Sequence, residues 1–236
     1  YSGGSYDTDP YILLNYQDKY NDMSTLIHEM GHSMHSYYSR SYNEFQNSEY
    51  RIFVAEVAST VNELLLSHYM LENSGSKEEK LFILNNLMEL YKATIYRQTM
   101  FAEFERDISK IIDNDGALTS EKLSNMYYDL NKFYFGDNVY VDDEIRYEWE
   151  RIPHFYYDFY VYKYATGLSA ATKIVDNILN KKKNAVSNYI EFLKCGSKLS
   201  PLESLKVAGV DLTDDEVVTL ALKTFGNYVD MYKKEM

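Results

Sequence analysis

Two histidines four positions apart with a glutamate between them, His28-Glu29-Met30-Gly31-His32, have residue types and spacing that suggest a definite chemistry. On a helix, positions i and i+4 share a face, so both imidazoles can aim Nε2 at one metal ion. Glu29 sits one position along and points beside the ion without ligating it. Zinc lowers the pKa of a water it binds to about 7, and a neighbouring carboxylate can take that proton as the water attacks a carbonyl. The reading is hydrolysis of a peptide bond with Glu29 as general base. The bland alternative is a surface helix with two solvated histidines.

A catalytic zinc needs a third protein ligand and an open fourth position. A third histidine six residues after His32 is absent, because position 38 is Tyr38. His35 lies on the same side of the helix but too far along it to share the ion. Among the following carboxylates, Glu44 and Glu49 stand in polar sequence and read as solvated. Glu56 interrupts the apolar run Ile52-Phe53-Val54-Ala55-Glu56-Val57-Ala58. A carboxylate there is costly to bury unless a charge meets it, and Zn²⁺ would do so. Glu56 is therefore the expected third ligand, with one zinc per chain. Glu63, two turns further along, is either an acceptor for a zinc-bound imidazole or an ordinary exposed glutamate.

These residues need helices to place them. Three prolines and ten glycines in 236 residues favour long helices over many strands. The first helix should run from about Asp22 or Ser24 to Tyr38, capped by Asn21 or Asp22 and stopped by the polar stretch Ser39 to Ser48. A second should span Glu49 to Glu72. A third, opened by the Ser76/Glu79 capping box, should reach Ile112, and a fourth should cover Thr119 to Phe133. Helical periodicity returns from Tyr147 to Asn180 with a break near Pro153. Two further capping boxes stand at Ser200/Glu203 and Thr213/Glu216. Tyr11 to Tyr16 reads as one short edge strand. Asp113-Asn114-Asp115-Gly116 is a helix-to-helix turn, because calcium-loop spacing would put Ile111 and Lys122 at ligand positions. With no repeat or linker, residues 1–236 are expected to form a single mainly α-helical domain.

Twenty-four basic against 36 acidic side chains give a net charge of −12, which argues against nucleic acid or an anionic membrane as partner. No run approaches the length of a membrane span. The single cysteine, Cys195, cannot form an internal disulfide and fits a reducing, cytoplasmic setting.

Three segments together resemble oligoendopeptidase F, a bacterial branch of the thimet oligopeptidase and neurolysin family. They are His28 to His35 with Leu14-Asn15-Tyr16 ahead of it, Phe53 to Thr60, and Ile152-Pro153-His154-Phe155-Tyr156-Tyr157-Asp158-Phe159-Tyr160-Val161-Tyr162-Lys163-Tyr164-Ala165-Thr166-Gly167. Glu56 to Ser59 matches the family's Glu-x-x-Ser pattern. The resemblance implies a zincin-like, neurolysin-type helical catalytic domain with a short N-terminal β element and a deep cleft for short peptides. It also implies that the chain is the C-terminal catalytic portion of a longer oligopeptidase, whose N-terminal portion completes the cleft. Carried over, His154, Tyr157 and Tyr164 would face the scissile bond and stabilise the oxyanion. With 25 tyrosines in the chain, residue type alone would not have selected them, and Tyr160 and Tyr162 remain substitutes. The strand near Tyr11 would pair with extended substrate, and Gly31 would relieve crowding on the metal helix, although an ordinary helical glycine explains it too. The competing reading is a zinc-containing peptide-binding module without turnover.

Overall fold

The structure, a computed structural model, describes residues 1–236 and is mainly helical, with one two-stranded antiparallel hairpin. The hairpin pairs β1 (Ser2–Gly3) with β2 (Tyr11–Ile12), Ser2 opposite Ile12. Nine helices follow: α1 (Tyr20–Tyr42), α2 (Ala55–Asn73), α3 (Lys77–Tyr91), α4 (Arg97–Asp113), α5 (Ser120–Phe135), α6 (Tyr162–Leu179), α7 (Ala185–Leu193), α8 (Pro201–Val207) and α9 (Asp215–Glu235). A π-helical turn, Lys92–Tyr96, joins α3 to α4. Short 3-10 helices cover Phe45–Asn47, Ile52–Val54, Asp143–Arg151 and Pro153–Tyr156.

The chain forms two compact units, Tyr1–Leu90 with Thr166–Met236, and Tyr91–Ala165. In the first, α1 packs along α2, the hairpin lies against α1, and α7 lies between α1 and α8. In the second, α4, α5 and the Asp143–Arg151 turn enclose a cluster of Met100, Phe101, Phe104, Tyr127, Ile152 and Val161.

Several boundaries differ from expectation, each for a local reason. Helix α1 begins at Tyr20, and Asp22 serves from inside it, accepting from the backbone N–H of Lys19 at 3.0 Å. It also runs past Tyr38 to Tyr42, because the polar residues there find partners. Ser39 Oγ donates to Ser48 O at 2.5 Å, and Asn43 Nδ2 to Ser39 O and Lys194 O. Helix α2 starts at Ala55 rather than Glu49, after the 3-10 turn Ile52–Val54. The strand is two residues long rather than six. The Ser200/Glu203 capping box forms as expected. At α9 the cap is Asp214, whose Oδ1 accepts from Glu216 N at 2.9 Å, while Thr213 donates to Asp211 instead. No helix is long and apolar enough to cross a membrane.

Candidate metal centre

Helices α1 and α2 approach so closely at Gly31 that a Cβ built there would lie 2.5 Å from the Cα of Ser59 and 2.6 Å from the carbonyl oxygen of Ala58. Only glycine allows that contact. Asn62 adds a bond across the pair, donating to Ile27 O at 3.2 Å. The contact places the face of α1 bearing His28 and His32 opposite the first turn of α2, where Glu56 projects.

The three expected ligands converge there. His28 Nε2 and His32 Nε2 are 3.1 Å apart, and Glu56 Oε2 lies 3.4 Å from each. Donors about 2.0–2.1 Å from a tetrahedral ion stand about 3.3 Å from one another. Lone pairs facing at these separations repel unless a proton or cation lies between them. Two imidazoles and one carboxylate are also the donor types of catalytic zinc sites, so the residues fit the ion. Glu56 is not buried among its apolar neighbours as its sequence context suggested. Its side chain is 36% exposed, while Val57 and Ala58 beside it are buried.

Supporting contacts surround the triad. Glu63 Oε2 lies 3.3 Å from His28 Nδ1, and Ser24 Oγ donates to Glu63 Oε1 at 3.4 Å. The role of Glu63 as imidazole acceptor is therefore the one the geometry favours. Ser59 Oγ reaches both the backbone oxygen of Glu56, at 3.0 Å, and its Oε2, at 3.2 Å, which gives the Glu-x-x-Ser spacing a physical reason. Ser24 was not anticipated; only the folded pairing of α1 and α2 brings it to Glu63.

Electrostatics follow from this arrangement. Burial disfavours a charged His28, but the carboxylates of Glu56 and Glu63 outweigh it and raise its pKa to about 10. Hydrogen bonds from His28 and His32 hold the Glu56 carboxyl well below the usual carboxylate range, against its partial burial. The same negative surroundings favour a bound cation. One turn further on, His35 is 1% exposed and stacks on Tyr50 with ring centroids 3.7 Å apart. Burial, followed by the charge of His32, lowers its pKa to about 3, so it stays neutral. Glu29 is largely buried, its side chain 15% exposed. Ser2 Oγ bonds Ser33 Oγ at 2.7 Å, tying β1 to the same helix.

The second unit gathers the expected oxyanion residues around His154. Its ring lies 5.7 Å from that of Tyr157 and 6.1 Å from that of Tyr164, both edge-on, and stacks at 5.8 Å on Tyr160. Tyr160 thus belongs to the cluster as fully as the other two. Tyr162 is 40% exposed and shares Lys163 with Tyr160.

A family profile described as peptidase family M3 matches residues 1–224. The chain belongs to peptidase family M3. The resemblance to oligoendopeptidase F holds across nearly its whole length. Oligopeptidase PepF of Bacillus subtilis is 51% identical over 98% of this M3 chain. The crystal structure of a putative peptidase from Chlamydophila abortus superposes with a TM-score of 0.93 at 44% identity, covering 100% of this chain and 40% of that one. That of oligoendopeptidase-F from Enterococcus faecium gives 0.82 at 40% identity, covering 91% and 39%. This M3 chain spans 34% of the length of the Bacillus subtilis protein.

Proposed function

We propose that this chain is the catalytic portion of a zinc-dependent endopeptidase that cleaves internal bonds of short peptides. The observation that carries the reading is the convergence of His28 Nε2, His32 Nε2 and Glu56 Oε2 with mutual spacings of 3.1 to 3.4 Å. These three residues would hold one zinc, which supplies Lewis acidity for water activation and carbonyl polarisation. Glu63 and Ser59 fix the orientations of His28 and Glu56. Glu29 takes the proton of the attacking water on its carboxylate and returns it to the nitrogen of the leaving amine. His154, Tyr157 and Tyr164 donate hydrogen bonds to the developing oxyanion. Membership of family M3 supports peptide chemistry, and the names of the relatives support short substrates. An N-terminal portion belonging to a longer protein would complete the cleft.

The test is cleavage of an internally quenched peptide by the zinc-loaded chain, with and without a chelator, beside Glu29→Gln. Glu29→Gln should keep stoichiometric zinc and lose about 10²- to 10⁴-fold in kcat, the usual contribution of a general base. An undiminished rate would sink the mechanism. A second reading is a zinc-containing peptide-binding module without turnover. Peptide binding without cleavage by the zinc-loaded chain would select it.

A further inference from the structure

Glu105 lies in the apolar stripe of α4, beside Met100, Phe101 and Phe104, and is only 4% exposed. A carboxylate at such a position is costly unless its hydrogen bonds do something an apolar side chain cannot. Its Oε1 accepts the backbone N–H of Phe159 at 2.6 Å, and its Oε2 has no protein partner. Burial pushes its pKa up, with the Phe159 N–H opposing.

Phe159 is one of two consecutive residues with left-handed backbone, Asp158 at φ 49 and Phe159 at φ 53. Neither is glycine, and such residues persist only where their surroundings over-determine them. This reversal stands between Tyr157 and Tyr160, within the ring cluster around His154. The apolar side chains of the segment secure its flanks. Ile152 and Val161 are buried in the cluster with Phe101 and Phe104, and Phe155 packs on both of those rings. Between Phe155 and Val161 the Glu105 bond is the tether to α4.

We propose that Glu105 is a positioning residue: by holding the Asp158–Phe159 reversal it sets His154, Tyr157 and Tyr164 in one arrangement for the oxyanion. The catalytic part of this inference rests on the role given to those three residues above; the anchoring part does not.

The deciding variant is Glu105→Met, which fills the same apolar stripe but cannot accept the Phe159 bond. Two readouts are taken. The first is the ring-proton NMR signal of His154, shifted by the rings of Tyr157, Tyr160 and Tyr164 and assigned with a His154 variant. The second is kcat and KM on the quenched peptide with zinc bound. Glu105→Met should stay folded, move the His154 signal toward its free-histidine position, and lower kcat by about 10²-fold with KM nearly unchanged, the scale expected for ångström-sized misplacement. Glu105→Gln, which retains a carbonyl acceptor, should restore both readouts. Glu103→Ala, on the same helix, removes the partner of Tyr134 and should alter neither. Asp158→Gly gives a second arm, since glycine loosens the reversal with Glu105 intact, and should lower kcat in the same direction. An unmoved His154 signal in Glu105→Met, or no rescue by Gln, would overturn the anchor. A wild-type chain that binds zinc but cleaves nothing would overturn the peptidase reading instead, while the NMR arm would still decide Glu105.

Discussion

The α1–α2 pair and the segment from Ile152 to Tyr164 organise chemistry in opposite ways. The first sets its donors on two long regular helices pressed together at Gly31 and Ser59. The second hangs its rings on a 3-10 turn, two left-handed residues and a few apolar anchors. Helical periodicity makes the first stiff and repetitive, so neighbouring donors are set by i to i+4 spacing. The second has no period, so each ring depends on a separate tether. The difference teaches that, under the proposed function, ion binding and transition-state positioning would be open to damage independently.

The largest effect expected on that division is in the tyrosine segment. Tyr164→Phe should lower kcat by about 10²- to 10³-fold, as removal of an oxyanion donor does, with zinc content unchanged. Zinc lost alongside activity would break the comparison. On the other side, Glu63→Ala should weaken zinc about 10- to 100-fold, because His28 loses the acceptor at its Nδ1. Competition against a chromophoric chelator measures it, and the His154 ring signal should not move. Next comes Gly31→Ala, which forces α1 and α2 apart at the 2.5 Å approach and should cost about 1–3 kcal/mol of stability. Denaturant unfolding together with zinc affinity would reveal whether the crossing governs both.

The smallest effect separates two histidines on α1. His35 has a folded pKa of about 3 against an ordinary 6.5, so the unfolded chain binds the extra proton between those values. Its stabilising effect is full above pH 6.5 and is lost as pH falls toward 3; to pH 5 that amounts to about 1–2 kcal/mol. His35→Phe should flatten this part of the stability profile. A profile unchanged by the substitution would place the acid sensitivity elsewhere.

Legibility in the sequence follows the same division. His28 and His32 could be paired in the sequence because a helix converts spacing into direction, and Glu56 drew notice by its apolar setting, although its carboxylate proves part-exposed. The choice for Glu63 stayed open, since an exposed glutamate and an imidazole acceptor look alike until α2 lies beside α1. Gly31 was likewise ambiguous until its neighbour proved to be the backbone of Ser59. The end of α1 lies beyond the expected Tyr38 because Ser39 to Asn43 look like a solvated stop, yet Ser39 and Asn43 are buried and bonded to distant carbonyls. His154, Tyr157 and Tyr164 could be singled out only by family likeness, as the chain that presents them has no repeating geometry. Glu105 stands in the apolar stripe of its helix, but its partner lies 54 positions away and is a backbone N–H, which no residue type announces.

The bare glycine at the α1–α2 crossing also bears on how the proposed zinc would be acquired. Small zinc modules spend much of their binding free energy on ordering an otherwise unfolded chain. Here the donors ride on helices already locked backbone to backbone, so little ordering entropy remains to be lost on loading. The ion-free protein should therefore keep its helical circular dichroism and melt only slightly earlier than the loaded one. Affinity would then report the ligands themselves, and the resident metal would follow cellular supply by mass action.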